Sequence, residues 1–193
     1  MRKVLASLKP YYYYLVGEGI KKIEIRKDIP KASDWDNEVL FYMSKDEKSF
    51  AKIPKEFQEK YRKHFGKVGM QFICDKVERL EEHIEQGGLY YILSDTFNEQ
   101  AQLDNWELHD YGKGKTIYGW HISELKIYDR PRELSEFKTP SCEKSEKACG
   151  NCKWLVKINT PDVYECECYV EDGRPITRPP QSWQYIEDLG EEE

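Results

Sequence analysis

Two stretches of this 193-residue chain combine residue types and spacings suited to chemistry. The first is GIKKIEIRKD, residues 19–28. Extended, it would send Ile23 and Ile25 to one side and Lys22, Glu24 and Arg26 to the other, the pattern of a half-buried strand. One reading of the charged side is a solvated face with a weak ion pair. The other is an anion-recognising cleft in which Glu24 fixes Arg26 or Lys21 in one rotamer, so that their donors meet a phosphate or a base edge. In that reading Lys9 and Lys27 widen the positive area, and Tyr118 or Trp120 of IYGWHIS supplies the aromatic face that single-stranded recognition needs. A strand Trp more often packs inward, which sets Trp120 between core and site.

The second stretch holds five of the six cysteines: Cys142, Cys149, Cys152, Cys166 and Cys168. CGNC places two thiolates across a tight turn, the geometry that aims both at one ion, and CEC follows downstream. Cys166 and Cys168 would project to opposite faces of an extended chain. Which four of the five ligate zinc therefore stays open, with Cys142 able to supply the fourth thiolate. A closed four-thiolate site would fold the segment and catalyse nothing. Thiols without metal, disulfide-bonded or reduced, and redox chemistry are the alternatives.

The elements that must position these residues are short and mixed. KVLASL alternates as a strand, Pro10 suits the first turn of a helix through YYYYLV, and Gly17 and Gly19 stop it. EVLFYM is a further strand. Residues 44–65 read as helical, with Phe50, Ile53, Phe57 and Tyr61 spaced around Pro54. KVGMQFICDKV restores strand character, and VERLEEHIEQGG fits either a continued strand or a helix. DNWE at 104–107 has the form of a capping box, opening a short helix to Tyr111. TIYGWHI and LKIYD read as two strands, and WQYIED as a last strand returning to the main domain. Without a regular βαβ rhythm or a repeat, the pattern predicts an α+β fold, a small mixed barrel with helical insertions. The boundaries that follow are a barrel over 1–140, a cysteine-rich insertion over 141–174, a returning strand over 175–188 and an acidic tail over 189–193.

Composition narrows the function classes. Hydrophobic residues make up 39% and charged ones 34%, yet 14 Tyr, 7 Phe and 5 Trp exclude a disordered chain. A net charge of −6 excludes a generally basic nucleic-acid-coating protein, so any polyanion site must be a local patch. No apolar run is long enough for a membrane span, and the first residues lack a signal-peptide core, so a soluble cytoplasmic protein is expected. His64, His83, His109 and His121 form no ligand pair, and YGKGK lacks the strand-to-helix setting of a phosphate loop. His121, beside the candidate site, is the one histidine placed to assist proton transfer, although a single histidine is more often structural or exposed.

SLKPYYYYLVGEGIKKIEIRK resembles the start of ASCH domains, a PUA-like group, whose Lys-Pro and Gly-x-Lys-x-x-Glu-x-Arg pattern falls here on Lys9, Pro10, Gly19, Lys21, Glu24 and Arg26. VGMQFICDKV looks like the central strand of that domain, and YGWHISELKIYDRPRELSEF with RPPQSWQYIE is similar to the C-terminal half of prophage-type members. The resemblance covers roughly 1–140 and 175–188. It implies a small PUA-like mixed β-barrel with flanking short helices, and as partner RNA, other single-stranded nucleic acid or a nucleoside. Some family members are amidohydrolases that remove acyl groups from the amino group of cytidine, using a Lys, a Thr two residues before the Arg, and a Glu from a later strand. Here Lys21 holds the first position, Glu24 stands where those enzymes have Thr, and Asp75 of FICDKV is the candidate for the later acid. Loss of the Thr favours binding over catalysis. A protein-interaction adaptor of phage origin is the third reading.

For the cysteine segment the expected outcome is definite: metal analysis of the purified chain returns about one zinc, as a four-thiolate site requires. Metal-free protein with its fold intact would refute it.

Overall fold

The structure, a computed structural model, describes residues 2–31, 35–85, 88–91, 94–140, 155–157, 164–166 and 173–187. In chain order the elements are β1 (Arg2–Leu8), α1 (Pro10–Gly17), β2 (Ile23–Arg26), β3 (Trp35–Met43), α2 (Glu47–Phe50), α3 (Lys55–Arg62), β4 (Val68–Leu80), β5 (Glu82–Glu85), β6 (Gly88–Tyr91), α4 (Asp95–Ala101), α5 (Asn105–Gly112), β7 (Ile117–Arg132), β8 (Leu155–Lys157), β9 (Tyr164–Cys166) and β10 (Trp183–Ile186). Local chemistry explains the helix starts. Proline opens α1, where its missing N–H costs nothing, and Pro54 stands at the N-cap of α3. Asp46 Oδ1 accepts the Ser49 N–H at the head of α2, and Asp104 and Glu107 close the capping box of α5.

Six strands form one mixed sheet in the order β10, β1, β3, β4, β7, β2. β1 and β3 run parallel, with α1 and β2 inside the crossover that parallel neighbours need, and the other pairs are antiparallel. The sheet curls into a half-barrel, giving the α+β architecture expected from the sequence. One expectation changes in detail, and one open choice is decided. TIYGWHI and LKIYD belong to one strand, β7, because Glu124 between them takes a left-handed φ of 47° inside the strand. VERLEEHIEQGG, open between strand and helix in the sequence, is strand where it is described: β4 runs on to Leu80 against β7, and β5 covers Glu82–Glu85. Register shifts at three points of the β4–β7 pair let these long strands bend.

One face of the sheet packs Val4, Ala6, Val39, Phe41, Met70, Phe72 and Trp120 against Tyr13 of α1, Phe50 of α2 and Tyr61 of α3. On the other face, Leu5, Leu40, Tyr42 and Val68 meet Leu134, Phe137 and Ile176. Farther along that face, Ile23, Ile25, Leu80 and Ile117 lie beneath Phe97 and Ala101 of α4 and Leu108 of α5. Among the described residues no helix is long and apolar enough to cross a membrane.

A polar pair is sealed inside the first of these clusters. His64 is 1% exposed, and its Nδ1 is hydrogen-bonded to the Tyr13 hydroxyl across 3.1 Å. Gly69 on β4 makes room for both: a Cβ there would lie 2.1 Å from Nδ1 and 2.8 Å from the Tyr13 oxygen. Burial, reinforced by Lys63 and Lys60, holds the imidazole down to about 4. The folded state therefore binds fewer protons than the unfolded state between that value and the ordinary histidine value of 6.5. Stability should fall as pH drops through this window, by roughly 3 kcal/mol at its lower end. Urea unfolding as a function of pH checks it. The native curve should lose this component in His64→Gln, whose amide can still hydrogen-bond Tyr13 and does not titrate.

Candidate functional site

β2 lies at an edge of the sheet, yet all four of its residues are buried, which corrects the half-buried strand expected from its alternation. Ile23 and Ile25 point under α4 and α5. Glu24 stands opposite Trp120 and Arg26 opposite Tyr118 in the β2–β7 register, which turns both charged side chains toward the face of the main core. Lys22, expected on the same charged face, precedes the strand and is exposed, its N–H bonded to Gln100 O at 2.7 Å.

Lys21, Glu24 and Arg26 form one buried ion group, at 2%, 6% and 5% exposure. Lys21 Nζ lies 3.6 Å from Glu24 Oε2 and donates to Ala101 O at the end of α4. Arg26 Nη2 lies 3.1 Å from Glu24 Oε1 and donates to Ser7 O at 2.8 Å, while Nη1 donates to Ser182 O at 3.0 Å. Ser182 O also accepts the Ser7 N–H, and Ser7 Oγ donates to Pro180 O. β2 and β1–β10 are opposite edges of the sheet, so Arg26 stitches the seam left where the sheet curls round. Its fork of donors is taken up by Glu24 and by backbone carbonyls rather than turned outward. Arg26 Nε is buried and has no partner among the described residues. Burial pushes the Lys21 ammonium below its ordinary value, against the opposing pull of Glu24.

Two helices overhang this group. Tyr12 of α1 has its ring centroid 5.4 Å from Lys21 Nζ, and burial, with the charges of Glu107 and Glu24, raises its hydroxyl. Tyr111 of α5 is 36% exposed and carries Lys27 Nζ over its ring at 4.9 Å. Burial raises the Tyr111 hydroxyl too, with Arg26 lowering it and Glu24 raising it. Glu107, one turn before Tyr111, also acts on Lys21 through its charge.

The residues singled out from the sequence thus separate. Lys21, Glu24 and Arg26 come together, and Lys27 reaches their rim. Lys9 is exposed at the N-cap of α1. Tyr118 is half-buried beside Arg26, but Trp120 is fully buried in the core and offers no face to a base, a correction that follows from its packing on Trp183 and the sheet. Asp75 is exposed on β4; the later acid whose charge does reach Lys21 is Glu107. His121 is tied through Nε2 to Glu78 at 2.8 Å. Tyr12, Glu107 and Tyr111 were missed as site residues. Two of the three lay in motifs already noticed, the tyrosine run and the capping box, but there they were read only as helix formers.

Among the described residues no three His, Cys, Asp or Glu side chains gather as metal ligands. Cys142, Cys149, Cys152 and Cys168 lie outside the described residues, and of Cys166 only the backbone is described, paired with Leu155 in the β8–β9 hairpin. Cys74, the remaining cysteine, is buried with its thiol pushed up to about 12, so it stays protonated and inert at neutral pH.

No family model matches the chain, and no curated protein matches it. Among solved structures it is similar to the crystal structure of ASCH from Zymomonas mobilis, at 13% identity and a TM-score of 0.49, over 96% of this chain and 87% of that one. Two single-substitution variants of that protein align at 12% identity and the same TM-score, covering 97% and 91% in one case and 96% and 88% in the other. Identity this low carries no residue role from that protein to this chain.

The buried ion group makes a sharp stability prediction. Arg26→Ala strands the Glu24 carboxylate with Lys21 alone and takes the guanidinium donors from Ser7 O and Ser182 O, the latter keeping only the Ser7 N–H, so it should cost about 3–5 kcal/mol. Replacing Lys21, Glu24 and Arg26 together by Met, Leu and Met should cost far less, because no charge is left unpaired. Urea denaturation of the two variants decides it; equal losses would refute the ion-group account.

Proposed function

We propose that this chain binds nucleic acid, RNA foremost, or a modified nucleotide at the seam joining β2 to β1 and β10. The observation that carries this reading is the Lys21–Glu24–Arg26 group, fully buried beside two tyrosines that come from different helices. A buried ion group is a poor stabiliser, since apolar side chains of the same volume do as well or better, and a shifted lysine within it is a mark of functional sites. Tyr12 and Tyr111 supply ring faces on which a base can stack. Lys22 and Lys27, exposed at either end of β2, supply cations at the rim. They give an acidic protein the local positive character that a polyanion requires.

A second reading, hydrolysis of N-acylated cytidine-type nucleosides, draws on the lowered Lys21, because an amine nearer neutrality is a better base. Glu24 in place of a hydroxyl nucleophile weighs against it. Structural zinc on four of Cys142, Cys149, Cys152, Cys166 and Cys168 belongs to the same proposal, supported by thiolate spacing and by the short antiparallel hairpin that carries Cys166.

Binding of a short mixed-sequence RNA and its DNA counterpart across a salt series tests the main reading. Two rim lysines give a slope of log affinity on log salt of about −1.4, at roughly 0.7 per phosphate contact on a single strand. The double variant Lys22→Ala/Lys27→Ala should flatten that slope, and Tyr111→Ala should cost about 1–3 kcal/mol. No binding of either strand at low salt would sink the proposal, and a stoichiometric protein partner captured instead would favour an adaptor. Acetate released from acetylcytidine by the native chain but not by Lys21→Met would establish the hydrolase.

A further inference from the structure

We propose that copies of this chain associate head to tail, the acidic α4–α5 face of one docking through Trp106 on the basic α2–α3 face of the next. Trp106 is 75% exposed, and its ring centroid lies 5.9 Å from that of His109 on the same helix. The side of α5 that packs on the sheet is the side of Leu108, so the indole plays no part in the core. A lone exposed apolar side chain is ordinary. What sets this one apart is the charge around it. Residues 95–112 carry five acids, Asp95, Glu99, Asp104, Glu107 and Asp110, and no Lys or Arg. All five are exposed, and none forms an ion pair among the described residues, whereas the exposed Glu47, Glu81 and Glu133 each have a cation beside them. Such a face repels a polyanion and suits a partner with lysines to spare.

The complementary surface is in the same chain. Residues 44–63 hold seven cations and four acids. Lys60 and Arg62 are paired with Glu18 and Glu47, and Lys63 donates to Asp129 O. That leaves Lys45, Lys48, Lys52 and Lys55 exposed and without an acid partner among the described residues. α2 and α3 pack on one face of the sheet through Phe50 and Tyr61, and α4 and α5 on the other through Phe97 and Leu108. The two charged surfaces therefore meet only between molecules. Because they differ, the contact is heterologous, and every pair still presents one unused face of each kind. Exposed ion pairs contribute little each, so the carboxylates and lysines set orientation and encounter rate rather than strength. The anchor is the indole, which gains apolar contact and cation–π attraction when it is covered by lysines of the neighbouring copy. None of this depends on what binds at the β2 seam.

Sedimentation equilibrium of the full chain over a concentration series, at low ionic strength and at about 1 M salt, tests the proposal. The native chain should rise above monomer mass with concentration at low salt and return to it at high salt. Trp106→Ala should weaken the association about tenfold or more. Two variants separate a head-to-tail contact from a symmetric one. Glu99→Gln/Trp106→Ala/Asp110→Asn alters only the acidic face, and Lys48→Gln/Lys52→Gln/Lys55→Gln only the basic face. Each alone should stay monomeric, while an equimolar mixture should form a pair and grow no further, since each variant supplies the face that the other lacks. A native chain that stays monomeric at low salt would overturn the proposal. So would association unchanged in Trp106→Ala or at high salt, a variant that assembles alone as well as the native chain, or a mixture that does not pair.

Discussion

The contact on which the rest of this structure depends is the reach of Arg26 from one edge of the sheet to the other. A six-stranded sheet that curls without closing leaves two rows of backbone groups facing each other, and unpaired edges are both unstable and prone to foreign pairing. Here the gap is bridged by a side chain in place of further ladder bonds. Arg26 gives two N–H groups to Ser7 O and Ser182 O, and Glu24 holds the guanidinium in the conformation that makes this possible. A Lys in the same position could not serve both edges, because its donors radiate from one nitrogen instead of spreading along a planar fork.

That solution has a cost which the surrounding packing offsets. Three charges are withdrawn from water within six residues of sequence, and they are tolerated because nearly every donor has an acceptor. The apolar side of the same strand is anchored independently. Gly119, opposite Ile25, lets Phe97 of α4 come down onto the sheet, where an added Cβ would meet its ring at 2.9 Å. One face of β2 is thus held by shape and the other by charge, and this is how a four-residue edge strand comes to be buried on both sides.

Much of this was legible in the sequence. The alternation of Val4, Ala6 and Leu8, the proline of α1 and the capping box at Asp104 and Glu107 are local signals whose physics does not depend on distant parts of the chain. The burial of Glu24 and Arg26 was not legible, because period-two alternation distinguishes two faces without saying that both are covered. Nor was the single long β7, since Glu124 in a left-handed bulge looks in sequence like the end of one strand and the start of another. Within the site, Lys21, Glu24 and Arg26 stood out by spacing. Tyr12, Glu107 and Tyr111 did not, because their relation to the triad arises only when α1 and α5 settle on either side of it.

The bond from Arg26 to Ser182 spans 156 positions of the chain. Contacts of such long range are entropically the last to be rewarded during folding, and on a growing chain this one has to wait until Ser182 has been made. Until then Arg26 and Glu24 must remain hydrated or paired only with each other, and the barrel edge at β1 stays open. Completion of the sheet therefore waits on β10: its arrival closes the β1 edge and, in the same event, draws the charged triad out of water.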